Sequence, residues 1–185
     1  MIQTKSDLKF YLHEDAIRNG MDCNYIVYLL RLLLGRENAM VYRYLKSLRR
    51  CEYYTNKSRG VHKLLARLYS LKLQILGSKY HIFIPINKCG YGLRIIHLTS
   101  RGVLLNVNRV GNYCGFNTGV VIGNVNLPDS RPTIGDNVAF GPGAKAFGRI
   151  NIGDNVFVAP NAVVTKDVSE NCIVGGVPAR ILKNK

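Results

Sequence analysis

The sequence predicts a mainly β protein, a parallel β-helix of six-residue repeats preceded by an α-helical domain. Three observations carry this prediction. Up to about residue 79, apolar residues recur at three- and four-residue spacing, the period of a helix with one buried face. From residue 80 onward Leu gives way to Val, Ile, Gly and Asn, and the apolar period becomes six. Two interlocked columns share that period: Ile134, Phe140, Ala146, Ile152, Val158 and Val164, and, four residues further on, Val138, Ala144, Ile150, Val156, Ala162 and Val168. Neither an α-helix nor an alternating strand repeats at six.

Taken in order, Ser6 with Asp7 caps a first helix running to Arg18, and Asn19-Gly20 ends it. A second helix from Asn24 to Leu34 stops at Gly35. A third, from about Glu37 to Tyr54, sets Val41, Tyr44, Leu45, Leu48 and Cys51 opposite Arg43, Lys46 and Arg50. Thr55 to Gly60 is a polar break. A fourth helix, Val61 to Leu76, carries Leu64, Leu65, Leu68, Leu71 and Ile75 on one face and closes at Gly77-Ser78. Beyond it, each six-residue unit is a short strand plus a turn, and three units make one triangular coil that touches only its neighbours. Gly135, Gly141 and Gly153 follow first-column residues, with Asp136-Asn137 and Asp154-Asn155 as turn formers. The phase runs back through Ile122, Phe116, Val110, Leu104 and Leu98, with Cys114 and Val120 in the second column. Asn124 to Thr133 keeps the phase but, with Pro128 and Pro132, reads as a projecting loop. The predicted organisation is a helical domain over 1–79, a β-helix over 80–176 and a tail over 177–185.

A length of 185 residues suits one or two domains. Met1 to Gly20 lacks the apolar centre of a signal peptide. The longest apolar run, Tyr25 to Leu34, is broken by Arg31 and falls short of the roughly 20 residues that span a bilayer. Cys23, Cys51, Cys89, Cys114 and Cys172 are odd in number and scattered, so reduced cytosolic thiols are expected and no metal site. The net charge of +15 is uneven: residues 41 to 80 hold ten Lys and Arg against Glu52 alone. Such a segment expects an anionic partner, a phosphate-bearing substrate or the surface of an anionic membrane. Nucleic acid is disfavoured, since no interleaved aromatic or groove-reading pattern accompanies the cations.

Three stretches carry a family resemblance: Gly92 to His97 followed by Gly102 to Asn106; Pro132 to Lys145; and Asn161 to Asp167 with Gly175 to Arg180. In these the chain resembles the hexapeptide-repeat acyltransferases, within them the serine acetyltransferase-like branch that includes enzymes acetylating capsule and lipopolysaccharide sugars. The resemblance implies a left-handed β-helix, a cytoplasmic homotrimer, and a cleft between subunits where His97 is the general base. A hydroxyl titrates far above neutrality, so an imidazole near its own pKa must take the proton as oxygen attacks a thioester. The resemblance also implies acetyl-coenzyme A as co-substrate, its contacts matching Gly141, Gly143, Pro160, Thr165, Lys166 and Arg180.

The departures bear on the acceptor. Where serine acetyltransferases place two aspartates and a second histidine, this chain has Ile82, Ile96 and Arg131. That directs the expected acceptor toward a sugar hydroxyl of a surface polysaccharide or its precursor, with L-serine as the alternative. Asn106, Arg101 and Arg131 are the candidates on the acceptor side, while His13, His62 and His81 read as surface or structural. The structural alternatives are a backbone-bonded corner histidine for His97, a turn-former for Asn106 and solvated charges for Lys166 and Arg180. Together they describe a non-catalytic β-helix scaffold, which the fold by itself permits.

Overall fold

The structure, a computed structural model, describes residues 1–21, 24–57, 59–98, 102–125, 127 and 129–185. Helices α1 (Lys5–Arg18), α2 (Tyr25–Leu33), α3 (Glu37–Lys57) and α4 (Val61–Tyr80) come first. Thr4, two residues earlier than the expected Ser6, caps α1: its hydroxyl accepts from Asp7 N at 3.0 Å and the Asp7 carboxylate accepts from Thr4 N at 2.9 Å. This reciprocal pair satisfies two orphan amides at once. Helix α4 runs through Gly77-Ser78 to a left-handed His81 at φ 55°. Gly77 is a packing residue and not a stop, since a β-carbon there would lie 2.9 Å from Ile82 O. Among the described residues no helix is long and apolar enough to cross a membrane.

Strands β1 (Ile82–Phe83), β2 (Arg94–Ile96), β3 (Val103–Leu105), β4 (Arg109–Val110), β5 (Gly115–Asn117), β6 (Val120–Gly123) and β7 (Thr133–Ile134) open the second half. They are followed by β8 (Ala139–Phe140), β9 (Lys145–Phe147), β10 (Asn151–Ile152), β11 (Phe157–Val158), β12 (Val163–Val164), β13 (Cys172–Gly175) and β14 (Arg180–Asn184). They form three faces of a solenoid of about four turns: β1-β3-β6-β9-β12, β4-β7-β10, and β2-β5-β8-β11-β13. All pairings are parallel except that of β14, which lies within the expected tail and runs antiparallel to β13.

The core is the two predicted columns. Phe116 pairs with Phe140 and Phe140 with Val158, the two phenylalanine rings stacked 5.4 Å apart. Ile122, Ala146 and Val164 form a parallel stack, all buried. The columns fail at Leu104, which is 43% exposed, while Val103 and Leu105 point inward. Leu105 pairs with Ile122, so that coil is one residue short of three hexapeptides and the phase slips. Conversely Val110 pairs with Ile134, leaving the coil with Asn124 to Thr133 one hexapeptide longer. On one edge a ladder of left-handed asparagines closes the turns, Asn137 Nδ2 donating to Asn155 Oδ1 and Asn155 Nδ2 to Asn171 Oδ1, each at 2.9 Å.

The helices join the first coil through a buried charge cluster. Arg49 on α3 contacts Asp15 on α1 at 2.8 Å and Glu52 at 3.1 Å, and donates to the carbonyls of Cys89 and Gly90. Asp15 accepts from Leu93 N at 2.9 Å, and Glu52 from Asn87 N at 2.8 Å. Removing one partner strands the others without water. Arg49→Met is therefore expected to lose roughly 3–5 kcal/mol of unfolding free energy, measured by urea titration, against under about 0.5 kcal/mol for exposed Arg67→Met.

Candidate active site

His97 follows β2 at the edge where the six-stranded face turns into the five-stranded one. Successive coils place Thr118-Gly119, Gly141 to Gly143, Pro160-Asn161 and Gly176 on the same edge. Backbone bonds tie them together: Gly143 N to Thr118 O at 2.9 Å, Asn161 N to Pro142 O at 2.9 Å and Val163 N to Gly176 O at 3.0 Å. The corner needs a left-handed residue, and Gly119, Gly143, Asn161 and Gly176 supply it at φ 73°, 69°, 58° and 94°. These residue types tolerate that conformation. In the first coil Gly102, at φ 56°, stands opposite Gly119 in that position, and His97, five residues earlier, is a second left-handed residue at φ 61° with its side chain 66% exposed. A histidine held in a sparsely populated conformation and adding little to the core points to use of its imidazole.

The imidazole borders a cavity of about 530 Å³ shaped by the end of α1, the start of α3 and β2. Its charged lining is Arg18, Arg36, Arg94 and Glu37. Asn19 fixes the α1 side: its Nδ2 donates to Asp15 O at 2.7 Å and Leu93 O at 2.8 Å, and its Oδ1 accepts from Ile95 N at 3.2 Å. Arg18 donates to Tyr113 O at 3.1 Å. Glu37 Oε2 stands 3.9 Å from His97 Nδ1, beyond hydrogen-bond length. Ile96 lines the cavity half-buried, and Ile82 is wholly buried against Val103. The acid missing from both positions is thus met by a residue of the helical region. Sequence reasoning passed over Glu37, whose only local signal is its place in the first turn of α3 after Gly35.

No family model matches the chain. It is 33% identical over 132 residues to the serine acetyltransferase of Synechococcus elongatus, an overlap of 70% of this chain and 51% of that one. Against the serine acetyltransferase of Helicobacter pylori strain J99 it is 29% identical over 187 residues, covering 98% of both. The solved serine acetyltransferase of Brucella abortus strain S19 superposes with a TM-score of 0.70 at 22% identity, over 98% of this chain and 71% of that one. A serine acetyltransferase solved in complex with CoA gives a TM-score of 0.70 at 22% identity, over 96% and 71%. The chain is similar to the serine acetyltransferases. It shares their hexapeptide-repeat fold and spans about half the length of the Synechococcus relative.

The expected site residues divide between two edges. Gly141, Gly143 and Pro160 share the edge of His97. A β-carbon at Gly141 would meet Pro160 N at 2.8 Å and one at Gly143 would collide with Asn161 Oδ1, so the edge stays slim there. Asn106, Arg131, Thr165 and Lys166 lie on the next edge, between the five- and three-stranded faces. Asn106 donates to Asn124 Oδ1 at 3.0 Å, and Arg131 borders a second cavity of about 410 Å³ with Asp129 and Arg149. Thr165 and Lys166 are exposed, as is Arg180 at the start of β14. Arg101 lies outside the described residues.

Cys51, Cys89, Cys114 and Cys172 are buried. Burial pushes the Cys114 thiol up to about 12 and raises Cys51 and Cys89 as well, which leaves no thiolate to act as a nucleophile at these three positions. Among the described residues no group of His, Cys, Asp and Glu is arranged to hold a metal ion.

If His97 is kept at a cost to the fold, His97→Asn should raise stability by about 1 kcal/mol and His97→Val lower it by a similar amount, read from thermal midpoints.

Proposed function

We propose that this chain is an acetyl-coenzyme A-dependent O-acetyltransferase with His97 as general base and L-serine as acceptor. The observation that carries the reading is His97 itself, strained and exposed at the head of an edge lined by Gly141, Gly143 and Pro160. His97 takes the proton of the attacking hydroxyl and returns it to the departing thiolate, so no covalent enzyme intermediate is needed. Glu37 supports the imidazolium between those two transfers. The slim edge at Gly141 and Gly143, which bears no side chain at either position, leaves room for the pantetheine arm of coenzyme A. Thr165, Lys166 and Arg180 suit its phosphates.

Arg18, Arg36 and Arg94 offer charge to a carboxylate and Glu37 to an ammonium. A free amino acid carries both groups, and the relatives are named for serine. This favours serine over the sugar acceptor expected from Ile82 and Ile96 alone. The sugar stands as a second reading, supported by the apolar Ile96 in the cavity wall. A homotrimer belongs to the same proposal: a closed ring of heterologous contacts sets the His97 edge of one copy against the Arg131 edge of the next. So does a cytoplasmic location, where acetyl-coenzyme A is made.

Thiol release from acetyl-coenzyme A is the direct test. Turnover with L-serine should fall about 10²- to 10⁴-fold in His97→Ala. Turnover on nucleotide- or lipid-linked sugars but not serine would select the second reading, and equal rates in both proteins would leave a scaffold.

The shared cleft predicts a further result. His97→Ala and Arg131→Ala are each expected to be impaired alone. Coexpressed as mixed rings, they should recover roughly a quarter of wild-type activity, because some sites then combine an intact His97 with an intact Arg131. No recovery would place both residues in one subunit's site or remove Arg131 from it.

A further inference from the structure

Helices α2 and α4 both pack on α3, and each turns an apolar face to solvent. On α4, Val61, Leu64, Leu68, Leu71 and Ile75 are 54 to 68% exposed, while its inner face is Leu76, Gly77 and Tyr80. The periodicity that predicted a buried stripe is real, but the stripe points outward. On α2, Leu30 and Leu33 are 54% and 83% exposed.

Between these faces lies a pocket of about 300 Å³ where Arg43, Lys46 and Arg50 of α3 meet Lys72 of α4. The Lys46 ammonium sits 5.7, 5.2 and 5.9 Å from the ring centres of Tyr25, Tyr28 and Tyr42. Burial, and then Arg50 and Lys72, hold Lys46 below the usual lysine range. Among the described residues none of the four cations meets a carboxylate, and no Asp or Glu occurs between Glu52 and Asp129. Four cations converging without an acid make a site for an anion.

Two occupants suit an apolar stripe at three- and four-residue spacing: the same stripe of a second copy, or a lipid surface. The charges decide between them. Arg67 flanks the stripe on one side and Lys72 and Lys79 on the other, so pairing two copies along it would align like charges at the flanks. An anionic bilayer satisfies both features. Leucines enter the headgroup boundary, and long cationic side chains reach phosphates beside them.

We propose that α2, α4 and the Arg43–Lys46–Arg50–Lys72 pocket form a docking face for an anionic phospholipid surface, the pocket receiving a headgroup phosphate. The face uses no residue of the His97 site, so it stands or falls apart from catalysis.

The test is cosedimentation of the full chain with vesicles of phosphatidylcholine alone or mixed with phosphatidylglycerol, at physiological salt. Binding is expected only with the anionic lipid. Lys46→Gln/Lys72→Gln should weaken it about tenfold or more. Leu68→Ser/Leu71→Ser should remove most of it, leaving the circular dichroism spectrum and acetyl-coenzyme A turnover unchanged, since both leucines are exposed. Equal binding to neutral vesicles, or none to either, would overturn the proposal. So would lipid-independent self-association abolished by the Leu68→Ser/Leu71→Ser change, which would make the face a protein interface.

Discussion

The guanidinium of Arg49 decides how the two halves of this molecule meet. It lies wholly buried between Asp15 and Glu52, in surroundings where an unpaired charge is not tolerated. The same three side chains also serve the backbone of the first coil, where the chain leaves the helices and has no preceding coil to bond. Carbonyls of Cys89 and Gly90 accept from Arg49, and amides of Leu93 and Asn87 donate to Asp15 and Glu52. A solenoid must cap its open end, and here the helical region does so with hydrogen bonds as well as apolar packing. The core is accordingly continuous from Val41 and Leu48 through Ile82 to Val174.

The candidate site inherits its geometry from that joint. Asp15 and Asn19 are one turn apart on α1, and Asn19 bonds the backbone on both sides of Arg94, three residues before His97. Glu37 opens the helix that carries Arg49. Holding Arg49 against the coil therefore holds Glu37 near the imidazole. His97 belongs to the solenoid and Glu37 to the helices, so the proton chemistry proposed for His97 depends on how firmly the two are docked.

Where the six-residue period is unbroken, from Val110 to Val164, it gives the core correctly because one spacing serves both the strand and the turn. It misleads at Leu104, where a coil one residue short shifts the phase; a slip in register exchanges inside for outside. Likewise, the spacing of Leu64 to Ile75 shows that α4 has an apolar face but not which way it is turned. Burial depends on what the neighbouring helix offers, and α3 meets the other side. His97 could be singled out as a candidate because its surrounding motif is local. Glu37 was not, because the two residues come together only across the joint. Arg49 was hidden in a different way, as one of ten cations in a segment that reads as a solvated surface.

The stack of coils also explains how a site is placed on so regular a scaffold. Since each coil touches only its neighbours, one corner can depart from the repeat at a local cost. Gly119, Gly143 and Asn161 mark what the corner prefers, and Gly102 keeps it in the first coil; the departure is a second left-handed residue, His97, on the coil nearest the helices. Among the described residues, no other coil further along the same edge has a cap with charged groups to face an imidazole. A histidine placed at Gly143 or Gly176 would bear the same backbone strain with neither Glu37 nor the arginine-lined cavity opposite. On this reading the first coil is the one place along the edge where an exposed base and charged partners coincide.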